Sequence, residues 1–306
     1  MSSGASRIGI VACNSTAYVE AVLSRLETGD IVVPLTSRSD DRAQSAGVTE
    51  VLEPGGGPGW LRRGYAPGRS EELAMIAFTS GTTGKPKGVL LSQRCLGDAC
   101  RRLIDVMRID DSIREYIGVP VYHSFGFGRC RTVAAAGGSF YLPPRGFNPV
   151  ECAELLRGGR VNALSIVPTL ARVLLQNATL FHEVGASLRW CELGSQFMSR
   201  AEKLALRELF PNAIIVQHYG LTEASRTSFL ALHEAEGNVL DSVGKPAGDT
   251  EVRIDEQGRI AIRGSLLASG RLIDGQVQPL VADDGWFHTT DNGALDNGWL
   301  HFRGRA

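Results

Sequence analysis

The feature that most restricts what this chain can fold into is an alternation running from residue 7 to about residue 217. Short β-branched apolar runs take turns with amphipathic stretches whose apolar positions recur every three or four residues. Residues 7–12 (RIGIVA) read as a buried strand. Asn14 or Ser15 offers a side-chain oxygen to cap a helix, Val19, Val22, Leu23 and Leu26 share one face of it, and Gly29 is placed to end it before a second strand at 31–35. Strands joined by a helix run parallel, and a parallel sheet must be covered on both faces. The same alternation predicts strands at 73–79, 116–121, 140–143, 163–167, 188–192 and 213–217. Helices are predicted from Ser92, as cap, to about Met107, and at 150–157, 168–176 and 199–209. The expectation is an α/β fold.

Two segments break the pattern. Residues 54–68 hold six glycines and three prolines in fifteen positions, which predicts a loop without regular structure. Beyond about residue 238 the runs at 251–255 and 259–263, and those flanking Asp296-Asn297-Gly298, read as antiparallel hairpins. The predicted organisation is therefore an α/β core over 1–237 and a smaller antiparallel, barrel-like β subdomain over 238–306.

Charge narrows the partners. Thirty-two basic side chains face 33 acidic ones, so neither nucleic acid nor an anionic membrane is expected to be held by electrostatics. No apolar run approaches the roughly 20 residues that span a bilayer, and the first residues do not resemble a signal peptide; a cytoplasmic protein is expected. None of the six cysteines makes a Cys-x-x-Cys pair, so they read as reduced packing residues rather than zinc ligands.

The strongest chemical signal is the run Phe78-Thr79-Ser80-Gly81-Thr82-Thr83-Gly84-Lys85-Pro86-Lys87-Gly88, directly after a strand. Its glycines free backbone N–H groups to turn toward a ligand, its hydroxyls add donors, and Lys85 and Lys87 add positive charge, a combination suited to a polyphosphate. It lacks the spacing of the nucleotide-binding P-loop.

This run resembles the phosphate-binding signature of the adenylate-forming superfamily, which contains acyl- and aryl-CoA synthetases, luciferases and the adenylation domains of peptide synthetases. Other segments similar to that family follow in order: Val119 to Gly126 (VPVYHSFG), Val167-Pro168-Thr169, Leu193-Gly194-Ser195-Gln196, Tyr219-Gly220-Leu221-Thr222-Glu223, Val243-Gly244-Lys245-Pro246, and Trp286 to Asp291 (WFHTTD), with Gly304-Arg305 at the end. The resemblance implies the layered α/β sheets of that family's N-terminal core. It also implies ATP-dependent conversion of a carboxylic acid to an acyl adenylate, with release of pyrophosphate and transfer to the thiol of CoA or of a carrier-protein phosphopantetheine.

The site residues it implies are specific. Thr79, Ser80, Gly81, Thr82, Thr83, Gly84 and Lys85 would hold the β- and γ-phosphates. Glu223 would carry Mg²⁺, which takes oxygen ligands and often only one or two from protein, and Thr222 would donate to the α-phosphate. Gly194, Ser195, Gln196, His218, Tyr219 and Gly220 would surround adenine, while Asp291 and Arg305 would meet the ribose. His123, Phe125 and Gly126 would line the acyl site, the alternative for His123 being a satisfied core histidine. Arg129, with Arg131, would bind a second carboxylate of the substrate or lie on a solvated helix face. The lack of an Asp between Arg114 and Val161 disfavours an α-amino acid.

Three departures stand out. The small C-terminal lid domain of the family, with its adenylation lysine, is expected to be absent, leaving a separately encoded lid or a carrier protein as possible partners. The segment before Arg7 is short. Thr290 stands where the family has glycine, and His218 where a small residue is common. The alternatives to an adenylating ligase are a lid-less nucleotide-binding module and a ligase that passes the adenylate to an amine.

Overall fold

The first βαβ unit forms where its pattern places it in the computed structural model, which describes residues 5–79, 86–194 and 197–305. Ser15 accepts a hydrogen bond from the Tyr18 N–H and caps the helix Thr16–Glu27, whose Val19, Val22, Leu23 and Leu26 are buried. Strand Arg7–Val11 pairs in parallel with Ile31–Leu35 on one side and with Glu50–Leu52 on the other. Leu73–Thr79 adds in parallel to Ile31–Leu35, and Lys87–Ser92 then turns back against it. A seven-stranded sheet results, and its far edge is supplied from distant sequence by Gly270–Ile273 and Gln276–Gln278.

A second, eight-stranded sheet has a parallel centre of Ser139–Leu142, Arg114–Ile117, Ala163–Ile166, Trp190–Gly194 and Ile214–Tyr219. Ser92 caps the helix Gln93–Met107, and a reciprocal Ser199–Glu202 capping box starts Arg200–Leu209. Helices Gln93–Met107 and Ser124–Ala135 share one buried cluster with residues of both sheets, including Val32, Met75, Phe127, Cys130, Trp190 and Val216. That cluster is the central layer. A four-stranded antiparallel sheet closes the C-terminal end in the order Glu251–Ile254, Arg259–Arg263, Phe287–Asp296, Trp299–Arg305.

Several sequence expectations need correction. The glycine-rich loop contains a strand, Gly59–Arg62, paired with Ser139–Leu142; Trp60 stacks 5.2 Å from Tyr141, and that cross-strand contact outweighs the poor local propensity. Residues 124–135 form a helix that the sequence pattern missed. The boundary near 238 is not clean, because Lys245–Pro246 joins the second sheet and 270–278 the first, leaving only four strands in the C-terminal sheet. Among the described residues no helix is long and apolar enough to cross a membrane.

Candidate active site

Parallel strands end in backbone groups that face a common edge, and clefts of α/β proteins form there. Thr79 ends one such strand, Gly194 another and Tyr219 a third. A cavity of about 420 Å³ opens beside these ends, lined by Thr79 and Lys87, by Phe125, by His218 and the turn from Gly220 to Arg226, by Arg271, by Phe287 to Thr290 and by Arg305. Ser80, Gly81, Thr82, Thr83, Gly84 and Lys85 lie outside the described residues, as do Ser195 and Gln196. Thr79 and Lys87, which flank the first of these segments, border the same cavity as Thr222 and Glu223.

The turn after Tyr219 is tight. Leu221 and Ala224 exchange backbone hydrogen bonds, and a Cβ on Gly220 would stand 2.5 Å from the Arg226 nitrogen, so only glycine fits. This turn brings Thr222 and Glu223 to the cavity wall. Glu223 Oε1 accepts from Arg271 Nη2 at 2.9 Å and Nε at 3.2 Å. The strand carrying Arg271 thus sets the position of the carboxylate, a role with no sequence signal.

A smaller cleft shares His218, Gly220, Leu221 and Arg305 with the main cavity and continues past Tyr219, Phe197, Lys203, Asp291 and Phe302. Asp291 is almost wholly buried, and a register shift between Asp291 and Gly293 turns it inward. Its carboxylate accepts from the Tyr219 hydroxyl at 2.8 Å and from Arg305 Nε at 3.2 Å. Burial first, then the Asp291 charge, raises the Tyr219 hydroxyl above its ordinary value, so it stays a donor. Lys203, which the sequence did not single out, donates to the Leu240 and Ser242 carbonyls, and burial lowers it to about 8.

Beneath both clefts lies a buried ionic network. Glu192 meets Arg129 Nη1 at 2.9 Å, Arg226 Nε at 3.2 Å and His218 Nδ1 at 2.7 Å, and Glu115 takes the other edge of Arg129. Burial would raise the Glu192 carboxyl, but the charges of Arg226 and then Arg129 outweigh it and hold it well below the ordinary range. Burial keeps His218 neutral despite the neighbouring carboxylate.

The network corrects three expectations. Arg129 does not face the cavity or solvent; it is fully buried because Glu115 and Glu192 saturate it. Gly126 does not line the cavity either, since its Cβ position is 2.3 Å from the Pro120 carbonyl and its role is helix packing. His123 precedes the helix Ser124–Ala135 and lines a separate void of about 40 Å³ with Tyr18, Phe127 and Arg131; Ser124 is shared with the main cavity. Phe125 does reach the main cavity, its ring 5.5 Å from His218. Gly194 lies against that pair, for a Cβ there would be 2.6 Å from His218 Cε1.

Known proteins share this architecture. The ATP-bound MatB crystal structure from Rhodopseudomonas palustris superposes with a TM-score of 0.82 at 23% identity, covering 98% of this chain and 69% of that one. A methyl-dioxo-octahydroindenyl-propanoyl:CoA ligase of Mycobacterium tuberculosis is 28% identical over 228 residues, covering 74% of this chain and 45% of its own length. A 4-coumarate–CoA ligase of Pinus taeda is 27% identical over 248 residues, covering 74% and 46%. The chain therefore spans about half the length of the curated relatives it matches. The family model described as AMP-binding enzyme matches residues 48–272, a stretch that holds both strands flanking the hydroxyl-rich run and the turn bearing Glu223, and the chain belongs to that AMP-binding enzyme family.

Proposed function

We propose that this chain binds ATP and a carboxylic acid in the joined clefts and links them as an acyl adenylate. An oxygen of the acid attacks the α-phosphorus, the bond from that phosphorus to the bridging oxygen breaks, and pyrophosphate leaves. In a second step a thiol attacks the acyl carbon and AMP departs. The relatives named as CoA ligases support CoA as the thiol donor; a phosphopantetheine on a carrier protein presents the same sulfur.

The observation that carries this reading is the convergence of Thr79, Lys87, Thr222, Glu223 and Arg271 on one cavity that runs on to Asp291 and Arg305. Attack of one anion on another needs positive charge and donors fixed in advance. Lys87 and Arg271 supply charge, and Thr79 and Thr222 supply hydroxyls. Asp291, oriented by Tyr219 and Arg305, would accept from the ribose hydroxyls, with the purine toward Tyr219 and Phe197. Phe125, His218 and Gly194 would border the acid.

Glu223 fits Mg²⁺. Among the described residues no cluster of three or more potential ligands forms a closed cage, and a single carboxylate completed by phosphate oxygens and water is a usual magnesium arrangement. When bound, the metal would neutralise developing charge on the phosphates. Exchange of labelled pyrophosphate into ATP, screened over aryl, fatty and dicarboxylic acids, tests the proposal. Acid-dependent exchange that falls at least about 100-fold in Glu223→Gln is expected. ATP binding without exchange for any acid, or a Glu223→Gln variant near wild type, would overturn it.

A further inference from the structure

One buried cation beside the main cavity is left incompletely paired. Arg226 is 2% exposed and lines the cavity. Its Nε donates to Glu192 and its Nη1 to the Ser225 hydroxyl at 3.0 Å, while its Nη2 has no partner among the described residues. A guanidinium nitrogen shut away without an acceptor is costly, and native structures rarely leave one so without a ligand, an ion or an ordered water to complete it.

The surroundings are built to keep this side chain in place. Arg226 holds φ at +60°, a left-handed conformation that non-glycine residues seldom adopt. A Cβ on Gly128 would fall 2.7 Å from Arg226 Nη1, so the helix Ser124–Ala135 gives up a side chain where the guanidinium lies. The Phe125 ring, itself part of the cavity wall, sits 5.9 Å from it.

Charge points the same way. Around Arg226 the buried charged groups among the described residues are Arg129 and Arg131 against Glu115 and Glu192, three guanidiniums, Arg226 included, to two carboxylates. Arg131 donates to the Leu96 carbonyl, packs over Phe127 and, among the described residues, bridges no carboxylate. One positive charge is in excess beneath the acyl end of the cleft, and an anion entering there would balance it.

We infer that the acid activated in this cleft carries a second carboxylate, and that Arg226 is the specificity-determining residue that receives it. This rests on the adenylation reading and names its substrate class. The first carboxylate is the one that reacts; the second pairs with the Arg226 guanidinium where that side chain borders the cavity. A neutral acid of the same length leaves that guanidinium short of an acceptor, and a site built to donate a hydrogen bond rejects the analogue that lacks the acceptor. The anion-binding role that the sequence suggested for Arg129 thus falls to an arginine three residues after Glu223.

The test uses non-hydrolysable acyl sulfamoyl-adenosines with malonyl, succinyl and glutaryl groups, each beside a neutral alkanoyl isostere. Their affinities for the intact chain are measured by calorimetry, with AMP as reference ligand. At least one dicarboxylic compound should bind about 10- to 100-fold more tightly than its isostere. In Arg226→Gln that ratio should collapse to within about threefold, and Arg226→Lys should restore part of it. The wild-type series needs no variant, so a poorly folding Arg226→Gln does not remove the test. If AMP and the neutral compounds bind and no dicarboxylic compound binds better, the inference about Arg226 is wrong while the adenylation reading stands. If neither AMP nor any acyl compound binds, the adenylation reading fails and takes this inference with it.

Discussion

Replacing Glu192 by Gln should destabilise the fold more than any surface charge change, because it keeps the shape of a fully buried side chain and removes its charge. In the wild type that carboxylate faces Arg129 at 2.9 Å, Arg226 at 3.2 Å and His218 at 2.7 Å. Without it Arg129 retains Glu115, but Arg226 is left with no carboxylate among the described residues. Removing one partner of a buried ion pair costs about 3–5 kcal/mol. An unfolding entropy of about 2.1 cal/mol/K per residue over 306 residues is about 0.64 kcal/mol/K, so Tm should fall by about 5–8 °C. Differential scanning calorimetry checks this. Glu251→Gln is the control: it breaks the Arg263–Glu251 pair, whose side chains are 48% and 56% exposed, and should cost less than about 1 kcal/mol.

Acidification adds a second readout with a fixed sign. Because the folded state holds the Glu192 carboxyl below its ordinary value, its stabilising contribution is complete above the unfolded value of about 4.3 and is lost as pH falls toward the folded one. The gap in Tm between wild type and Glu192→Gln should therefore narrow below about pH 4.3. A loss under about 1 kcal/mol at neutral pH, or a gap that widens in acid, would refute the assignment of Glu192 as the charge centre of the network.

Two further outcomes concern ligand binding. Gly194→Ala would press a Cβ to 2.6 Å from His218 Cε1 and 3.1 Å from Phe125 Cε2; with His218 tied to Glu192 there is little room to yield, so acyl-adenylate mimics should bind about tenfold more weakly by calorimetry. An unchanged affinity would mean that the acid does not pass between these rings. In Asp291→Asn only one oxygen remains to accept from Tyr219, Arg305 and a ribose, and AMP affinity should drop about 10- to 100-fold; equal affinity would remove Asp291 from the nucleotide site.

Local chemistry made much of the fold readable. Ser15, Ser92 and Ser199 announce their helices because a hydroxyl ahead of an apolar face satisfies the first free N–H groups. The order of motifs also anticipated a cleft, since Thr79 and Glu223 line the same cavity although 144 positions separate them. The failures share a cause in long-range contact. The helix Ser124–Ala135 carries Gly126 and Gly128, which lower its propensity but are required by Pro120 and Arg226. Arg129 reads as a substrate-binding or solvated cation because its partners lie 14 positions before it and 63 after it. Arg271 and Arg226 carry no recognisable pattern; their meaning comes from the carboxylates that the folded chain sets beside them.

The late strand Gly270–Ile273, second from the sheet's edge, has a consequence for biosynthesis. It covers Lys87–Ser92, a strand of the sheet formed by the first ninety or so residues. Gly270 follows Ser92 by 178 positions, and at about 5–20 residues per second the ribosome needs about 9–36 s to deliver it. Throughout that interval the backbone of Lys87–Ser92 offers an unpaired ladder to any passing strand. The nascent protein is therefore open to intermolecular pairing along the edge that will later hold Arg271 next to Glu223, and completion of this sheet and assembly of the cavity lining are a single late event.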